Sequence, residues 1–304
     1  MRHIPVLLTE TLAGLNLKAG DNAADCTLGD GGHSEAILQA TSPTGRLLGI
    51  DADAESVLRA KRFLYRFENR AEFARANFVE LEAIVKQTGF GPIKGILFDL
   101  GWSTPQFKER GRGFSFEQDE PLDMRFSGKE QNVETATAGE IVNYYPVSEL
   151  AKIFKNFGEE KLSQEIAQAI GEARKIAPLT TTKQLVEIIL EVYRRKLHSD
   201  KEIPWVGGTH PATKVFQALR IAVNGELEKL KQVLPMAVSL LAPGGRLAVI
   251  TFHSLEDRIA KQYFKSQENK ILKLINKKPI VASKEEVKNN PSARSAKLRI
   301  IEKI

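Results

Sequence analysis

Apolar and polar positions follow a repeating order over the first hundred residues: a short apolar run, a polar turn, then a stretch with apolar positions three and four apart. The runs at 22–27, 46–51, 71–76 and 94–100 read as strands, each bounded by Gly, Asp, Asn or Lys. Between them, 33–40, 54–67 and 79–88 carry helical spacing. Strands alternating with helices predict an α/β fold with a parallel, doubly wound sheet, whose ligands bind outside the carboxyl ends of the strands. Asp25, Asp51, Asn77 and Asp99 stand at those ends.

The alternation breaks near residue 103, and from there to 208 no strand pattern is convincing. The stretch RGRGFSFEQDEPLDMRF is irregular, and SELAKIFKNFG, EEKLSQEIAQAIGEARKI and TTKQLVEIILEVYRRKL read as helices. Ser148 can start the first of these and Gly158 can stop it, while Thr181 and Gln184 have capping-box spacing. The earlier pattern returns with a helical stretch at 210–241, which Pro235 is expected to divide, and an apolar strand at 246–252. Final strands are expected at 270–275 and 296–304. The expected organisation is a core of residues 1–102 and 209–304 holding a seven-stranded, mostly parallel sheet, with 103–208 as an inserted helical subdomain placed to select substrate.

Composition narrows the class without naming a function. Apolar residues at 42% and charged residues at 27% are ordinary for a globular protein, and 304 residues can bury a sizeable core. No run approaches the roughly 20 apolar residues of a membrane helix, and MRHIPVLLTE lacks a signal-peptide layout, so a cytoplasmic location is expected. The single Cys26 excludes an internal disulfide and a thiolate metal cluster, and the five histidines show no metal spacing. The net charge of +6 is uneven: from Lys261 onward twelve Lys and Arg stand against four Glu, so the tail carries +8 and the remainder −2. Such an end can anchor phosphates by counterion release, or it can be a solvated tail without a partner.

Candidate chemistry concentrates in DCTLGDGGHS, residues 25–34. An acidic strand end, three glycines within four positions and a helix start let backbone amides approach a ligand closely. Asp51, twenty positions after Gly31, suits a hydrogen bond to a ribose diol, which makes the unit a nucleoside-cofactor site. The dinucleotide fingerprint lacks its third glycine, since Ser34 stands there. The pattern Asp25-x-x-x-Gly29-x-Gly31 resembles instead the first motif of methyltransferases that use S-adenosylmethionine. On this stretch alone a methyl donor, NAD and a purely structural turn all stay open.

Over nearly its whole length the chain resembles a known family. DCTLGDGGHS, DLGWSTPQF, RGFSF, PLDMR, HPATKVFQALRIAVNGEL, APGGRLAVITFHSLEDR and NPSARSAKLR are similar, in order, to the motifs of the bacterial small-subunit rRNA (cytosine-N4)-methyltransferases, the MraW family. The resemblance implies a Rossmann-like class I methyltransferase fold with a helical insertion, S-adenosylmethionine as cofactor, and N4-methylation of a cytidine of 16S rRNA in the decoding centre near the P site. The implied partner is 16S rRNA within the small ribosomal subunit or a late assembly intermediate. Implied cofactor contacts fall on Gly31, Gly32, His33, Asp51, Phe78, Asp99 and Gln106. The chain departs from the family pattern at Cys26, Leu28, Asp30, Trp102 and Thr104.

Methylating an exocyclic amine calls for alignment with the donor and for an acceptor that draws on the amine N–H. Asp99, with Ser103 beside it, is the candidate acceptor, and the resemblance equally supports a cofactor contact for Asp99. Trp102 can stack on a base or pack under the insertion. Arg112 and Phe114, with Arg110 and Phe116, have the composition for backbone contact plus stacking on an unpaired base, or for a hinge packed by its own phenylalanines. His253 and Arg258, near Glu256 and Asp257, can line a base pocket or form a charged helix start with internal pairs.

Overall fold

Side chains on the central strands are apolar in both directions, which forces both faces of the sheet under cover. Ala24, Leu48, Ile50, Ile96, Phe98, Leu247 and Val249 pack on one face with Leu81, Leu230, Leu234 and Phe264. Ala23, Leu47, Leu97, Ala248 and Ile250 point to the other, against Leu15, Ile37, Leu38, Ala60 and Ile300. The structure, a computed structural model, describes residues 4–100, 111–126, 135–198 and 209–304. It divides into two compact units, Met1–Ser103 with Leu227–Ile304, and Thr104–Glu226.

The first unit holds the sheet, built from β1 (Asn22–Asp25), β2 (Leu47–Asp51), β3 (Ala71–Arg75), β4 (Ile93–Asp99), β5 (Leu241–Thr251), β6 (Leu272–Leu274), β7 (Ile280–Val281) and β8 (Lys297–Lys303). Its order is β3-β2-β1-β4-β5-β8-β6, with β7 paired to β8. The first five strands run parallel, and β8 turns antiparallel against β5. The order reverses between β1 and β4, the place where an open α/β sheet leaves a crevice. The sheet has eight strands, one more than the seven expected: β7 is two residues long and shows no alternation in its charged loop. The helix Leu8–Leu15 was also not expected, because it lacks a side-chain cap and starts from Leu7 in a left-handed conformation.

The long helical stretch divides at Gly225, φ +62°, and not at Pro235, which lies inside Glu226–Leu240. A left-handed residue ends a helix outright, whereas a proline removes one amide donor and bends it. The second unit is helical: Ala138–Tyr144, Val147–Gly158, Ser163–Ile176, Thr182–Leu197 and Thr213–Asn224. Thr181 and Gln184 form the expected capping box, but Ser148 caps nothing, since Pro146 precedes that helix. Thr213–Asn224 also belongs to this unit, which therefore extends past the expected end at 208.

Arg299 on β8 is 6% exposed and donates to both carboxylate oxygens of Asp257, at 2.7 and 3.1 Å. One of the tail's cations is thus committed to the fold. Asp257→Ala leaves that guanidinium buried without its carboxylate and is expected to lower the unfolding free energy by about 3–5 kcal/mol. Lys231→Ala, which breaks the exposed pair with Glu228, is expected to change it by less than about 1 kcal/mol. Urea denaturation of the two variants checks the contrast.

Candidate active site

Strand register places three carboxylates together. Asp25 pairs with Gly49 of β2 and with Leu97 of β4, so Asp51 and Asp99 each lie two residues beyond it on the flanking strands. Two residues preserve the side of the sheet, and all three acids therefore share one face at one end of it. Asp25 is 1% exposed. Its Oδ2 accepts from the Ser34 hydroxyl at 2.7 Å and its Oδ1 from the Thr27 amide at 3.2 Å. Asp51 accepts from the amides of Gly29 at 2.8 Å and Asp53 at 2.9 Å. Desolvation pushes the Asp25 carboxyl from 3.8 up to about 6, although its hydrogen bonds pull it down. Asp51 is also raised to about 6, by desolvation first, with the charges of Asp53 and Asp25 adding to it.

The glycine turn has two separate causes. Gly31 has φ +79° and is the residue before the helix Gly32–Ala40; its amide closes the turn on the Leu28 carbonyl at 2.8 Å. Gly32 is glycine because a Cβ there would stand 2.4 Å from Pro5 Cγ. His33, 6% exposed, places Nε2 3.1 Å from the Val6 carbonyl. That nitrogen is therefore assigned the proton it donates. Nδ1 faces Asp99 Oδ2 at 3.6 Å. Asp99 closes β4 and its amide donates to Thr27 Oγ1 at 2.6 Å. Phe78 is the first residue after Asn77, within the Asn77–Glu80 capping box, and meets Phe98 edge-on, ring centres 5.7 Å apart.

Gly31, Gly32, His33, Asp51, Phe78 and Asp99 are thus brought to the switch-point end of the first unit. Trp102, Ser103 and Gln106 lie outside the described residues. His253 is the N-cap of Ser254–Gln267: its Nδ1 accepts from the Glu256 amide at 3.4 Å, and Glu256 accepts from the Phe252 amide at 2.9 Å. Its Nε2 lies 3.2 Å from Glu256 Oε1 without hydrogen-bond geometry. The helix-start arrangement is therefore present, and Arg258 is exposed on the same helix.

In the second unit, Arg112 donates to the carbonyls of Arg125 and Phe126, and Phe114, 5% exposed, stacks on Phe126 at 5.6 Å. Phe116 stacks on His210 at 4.6 Å. Asn224 bonds Phe126 and Met124, while Arg220 bonds Glu226. In this conformation these groups hold the loop, and the two phenylalanine rings are turned on protein partners.

Sequence reasoning missed Thr27, Ser34 and residues 4–7, which supply the Val6 carbonyl and the Pro5 ring. Ser34 counted there only as a missing glycine, whereas it is the hydroxyl donor on Asp25. Cys26 is buried, and burial raises its thiol well above the usual value, so this departure from the family pattern places an inert side chain in the core. Asp30, another departure, pairs with Arg59 at 2.7 Å.

The arrangement suits a cationic nucleoside. Three carboxylates on one face would repel a pyrophosphate and attract a sulfonium or ammonium group, while a helix start and an aromatic edge remain for the polar and flat parts of such a ligand. A methyl donor of the S-adenosylmethionine type fits these residues.

The chain is also similar to known proteins. The model of the MraW methylase family matches residues 1–304. A curated relative from Dehalococcoides mccartyi, named Ribosomal RNA small subunit methyltransferase H, is 43% identical over 318 residues, covering 99% of this chain and 86% of its own length. Among solved structures, an rRNA-methylase candidate from Clostridium thermocellum superposes with TM-score 0.48 at 12% identity, covering 100% of both chains. A SAM-dependent O-methyltransferase from Thermotoga maritima gives 0.43 at 9% identity, covering 100% of this chain and 68% of its own. The family assignment rests on the sequence matches.

Asp25 supplies a pH test. Its carboxyl titrates at about 6 in the folded protein, against roughly 3.9 in an unfolded chain. The folded state holds the proton more tightly, so this contribution to stability is fullest below about pH 4 and is lost as pH rises through about 6. Asp25→Asn removes the ionisation and keeps an acceptor for Ser34. At pH 7.5 the variant without cofactor is expected to be more stable than the parent by on the order of 2 kcal/mol, the difference vanishing below about pH 4. Urea titrations across that range measure it, and a difference independent of pH contradicts the account.

Proposed function

The chain belongs to the MraW methylase family, and from that premise we propose that it methylates N4 of one cytidine in the decoding centre of 16S rRNA, near the P site. The observation that carries this reading is the coincidence of a whole-chain family match with three acids and a glycine turn at one sheet end. The name of the Dehalococcoides mccartyi relative supports the small-subunit rRNA as substrate. The partner is then the small ribosomal subunit or a late assembly intermediate. Among the described residues no helix is long and apolar enough to cross a membrane; the place of work proposed is the cytoplasm.

S-adenosylmethionine supplies an activated methyl group when bound. Gly31, Gly32 and His33 form the turn against it, Asp51 offers acceptor capacity to a ribose, and Phe78 offers an aromatic surface. Asp25 supports the turn from below through Ser34. The protein's main contribution is orientation, which can be worth roughly 7–11 kcal/mol of the barrier. Cytosine N4 is a poor nucleophile because its lone pair is delocalised into the ring. Asp99 accepts from the amine N–H, returns electron density to nitrogen and takes the proton once the bond has formed. Ser103 is proposed to assist, and Gln106 to contact the cofactor. His253 and Arg258 line the base side at the end of β5. Trp102, Arg112 and Phe114 are assigned to the RNA side, the last two after the loop releases them from their internal partners. The target base has to be unstacked to reach a buried methyl group. The helical unit, proposed as the substrate-recognition element, then reads the shape of the particle around it.

Mass spectrometry of 16S rRNA from cells with and without the gene tests the function directly: loss of one N4-methylated cytidine is expected, and unchanged content refutes the assignment. Asp99→Asn is expected to lower kcat at saturating cofactor by about 10²–10⁴-fold. A normal kcat with a raised cofactor KM assigns Asp99 to cofactor binding alone.

A further inference from the structure

The NPSARSAKLR motif and the helix before it contribute no group to the chemistry above, yet they reach the site through the first residues of the chain. Asn290, 9% exposed, donates its side-chain amide to the Ile4 carbonyl at 2.9 Å. Glu286 Oε1 accepts the Leu7 amide at 2.7 Å. Between these two anchors the Val6 carbonyl receives His33 Nε2–H, and the Pro5 ring fills the space that a Cβ on Gly32 would need.

We propose that Glu286 and Asn290 are positioning residues of the cofactor site, acting through residues 4–7 on Gly32 and the His33 ring. The inference rests on reading the strand ends as the donor site. Leu7 has φ +53°, a conformation that a leucine rarely adopts. It is fully buried, and the carboxylate on its amide holds the bend that directs Val6 toward His33. The anchors are themselves fixed. Ser283 caps the helix Lys284–Asn289 by accepting the Glu286 amide at 3.0 Å. The Asn290 amide donates to the Glu286 carbonyl at 2.6 Å, its own carbonyl accepts from the Ala293 amide at 2.9 Å, and Ala293 is completely buried. A rigid tail thus grips a bent leader at two points, and the leader fixes which nitrogen of His33 faces Asp99.

The test compares Glu286→Ala, Asn290→Ala and Glu286→Gln with the parent, each well below its own melting temperature. Calorimetry with S-adenosylhomocysteine is expected to show a roughly tenfold weaker Kd for both alanine variants. The cofactor KM should rise in parallel, with kcat at saturation within about twofold. Glu286→Gln keeps an acceptor for the Leu7 amide and is expected to retain near-parental affinity. Hydrogen exchange at the Gly31, Gly32 and His33 amides should accelerate in the alanine variants. A lowered melting temperature with unchanged Kd, or an affinity lost equally in Glu286→Gln, overturns the proposal. Should the parent protein bind no S-adenosylhomocysteine, the donor-site reading fails, and the exchange rates alone judge the clamp: acceleration upholds it and unchanged rates reject it.

Discussion

A carboxylate held almost out of water is the constraint around which the rest of the site is organised. Asp25 lies at the end of the central strand, and its neutralisation by protonation is opposed only by a hydroxyl and the backbone and side chain of Thr27. Ser34 can donate because the helix begins at Gly32, and the helix can begin there because Gly31 takes a left-handed φ. Thr27 in turn receives the amide of Asp99, so the neighbouring strand end is tied to the same group. Disturbing one of these contacts alters the electrostatics of two acids as well as the geometry of a turn.

The two units divide the physical tasks. The first has apolar residues on both sheet faces, and this rigidity lets polar groups be placed at the strand ends without shifting. The second has its own buried residues, among them Leu150, Phe154, Ile166, Ile170, Leu185 and Ile189. Among its described residues several polar side chains hold its loop, including Glu120, which accepts from the Gly113 amide at 2.7 Å.

The parts of this arrangement visible in the sequence were those governed by period and register. Short apolar runs separated by stretches of helical spacing marked the parallel strands, and Asp25, Asp51 and Asp99 were readable as strand ends because each follows an apolar run. What escaped was set by partners distant along the chain. The reason for glycine at 32 is Pro5, and the role of Ser34 is defined by Asp25, neither of which a spacing rule contains. Phe114 has the composition of a base-stacking residue, but stacking on Phe126 requires only another ring, and sequence does not say which ring arrives. The basic tail looked uniform by charge, yet Arg299 is inside the fold on Asp257 while Lys277 and Lys278 remain exposed. The two-residue β7 is too short for any period to register.

The bond between Asn290 and the Ile4 carbonyl spans 286 positions. Synthesis runs from the amino end, so residues 4–7, the residues of the glycine turn and those of all five parallel strands are made before the residue that bonds Ile4. On the proposal above, the fastening of residues 4–7 waits for residue 290 to be made. A nascent chain that stops short of residue 290 cannot make this bond, a delay built into the connectivity of the fold.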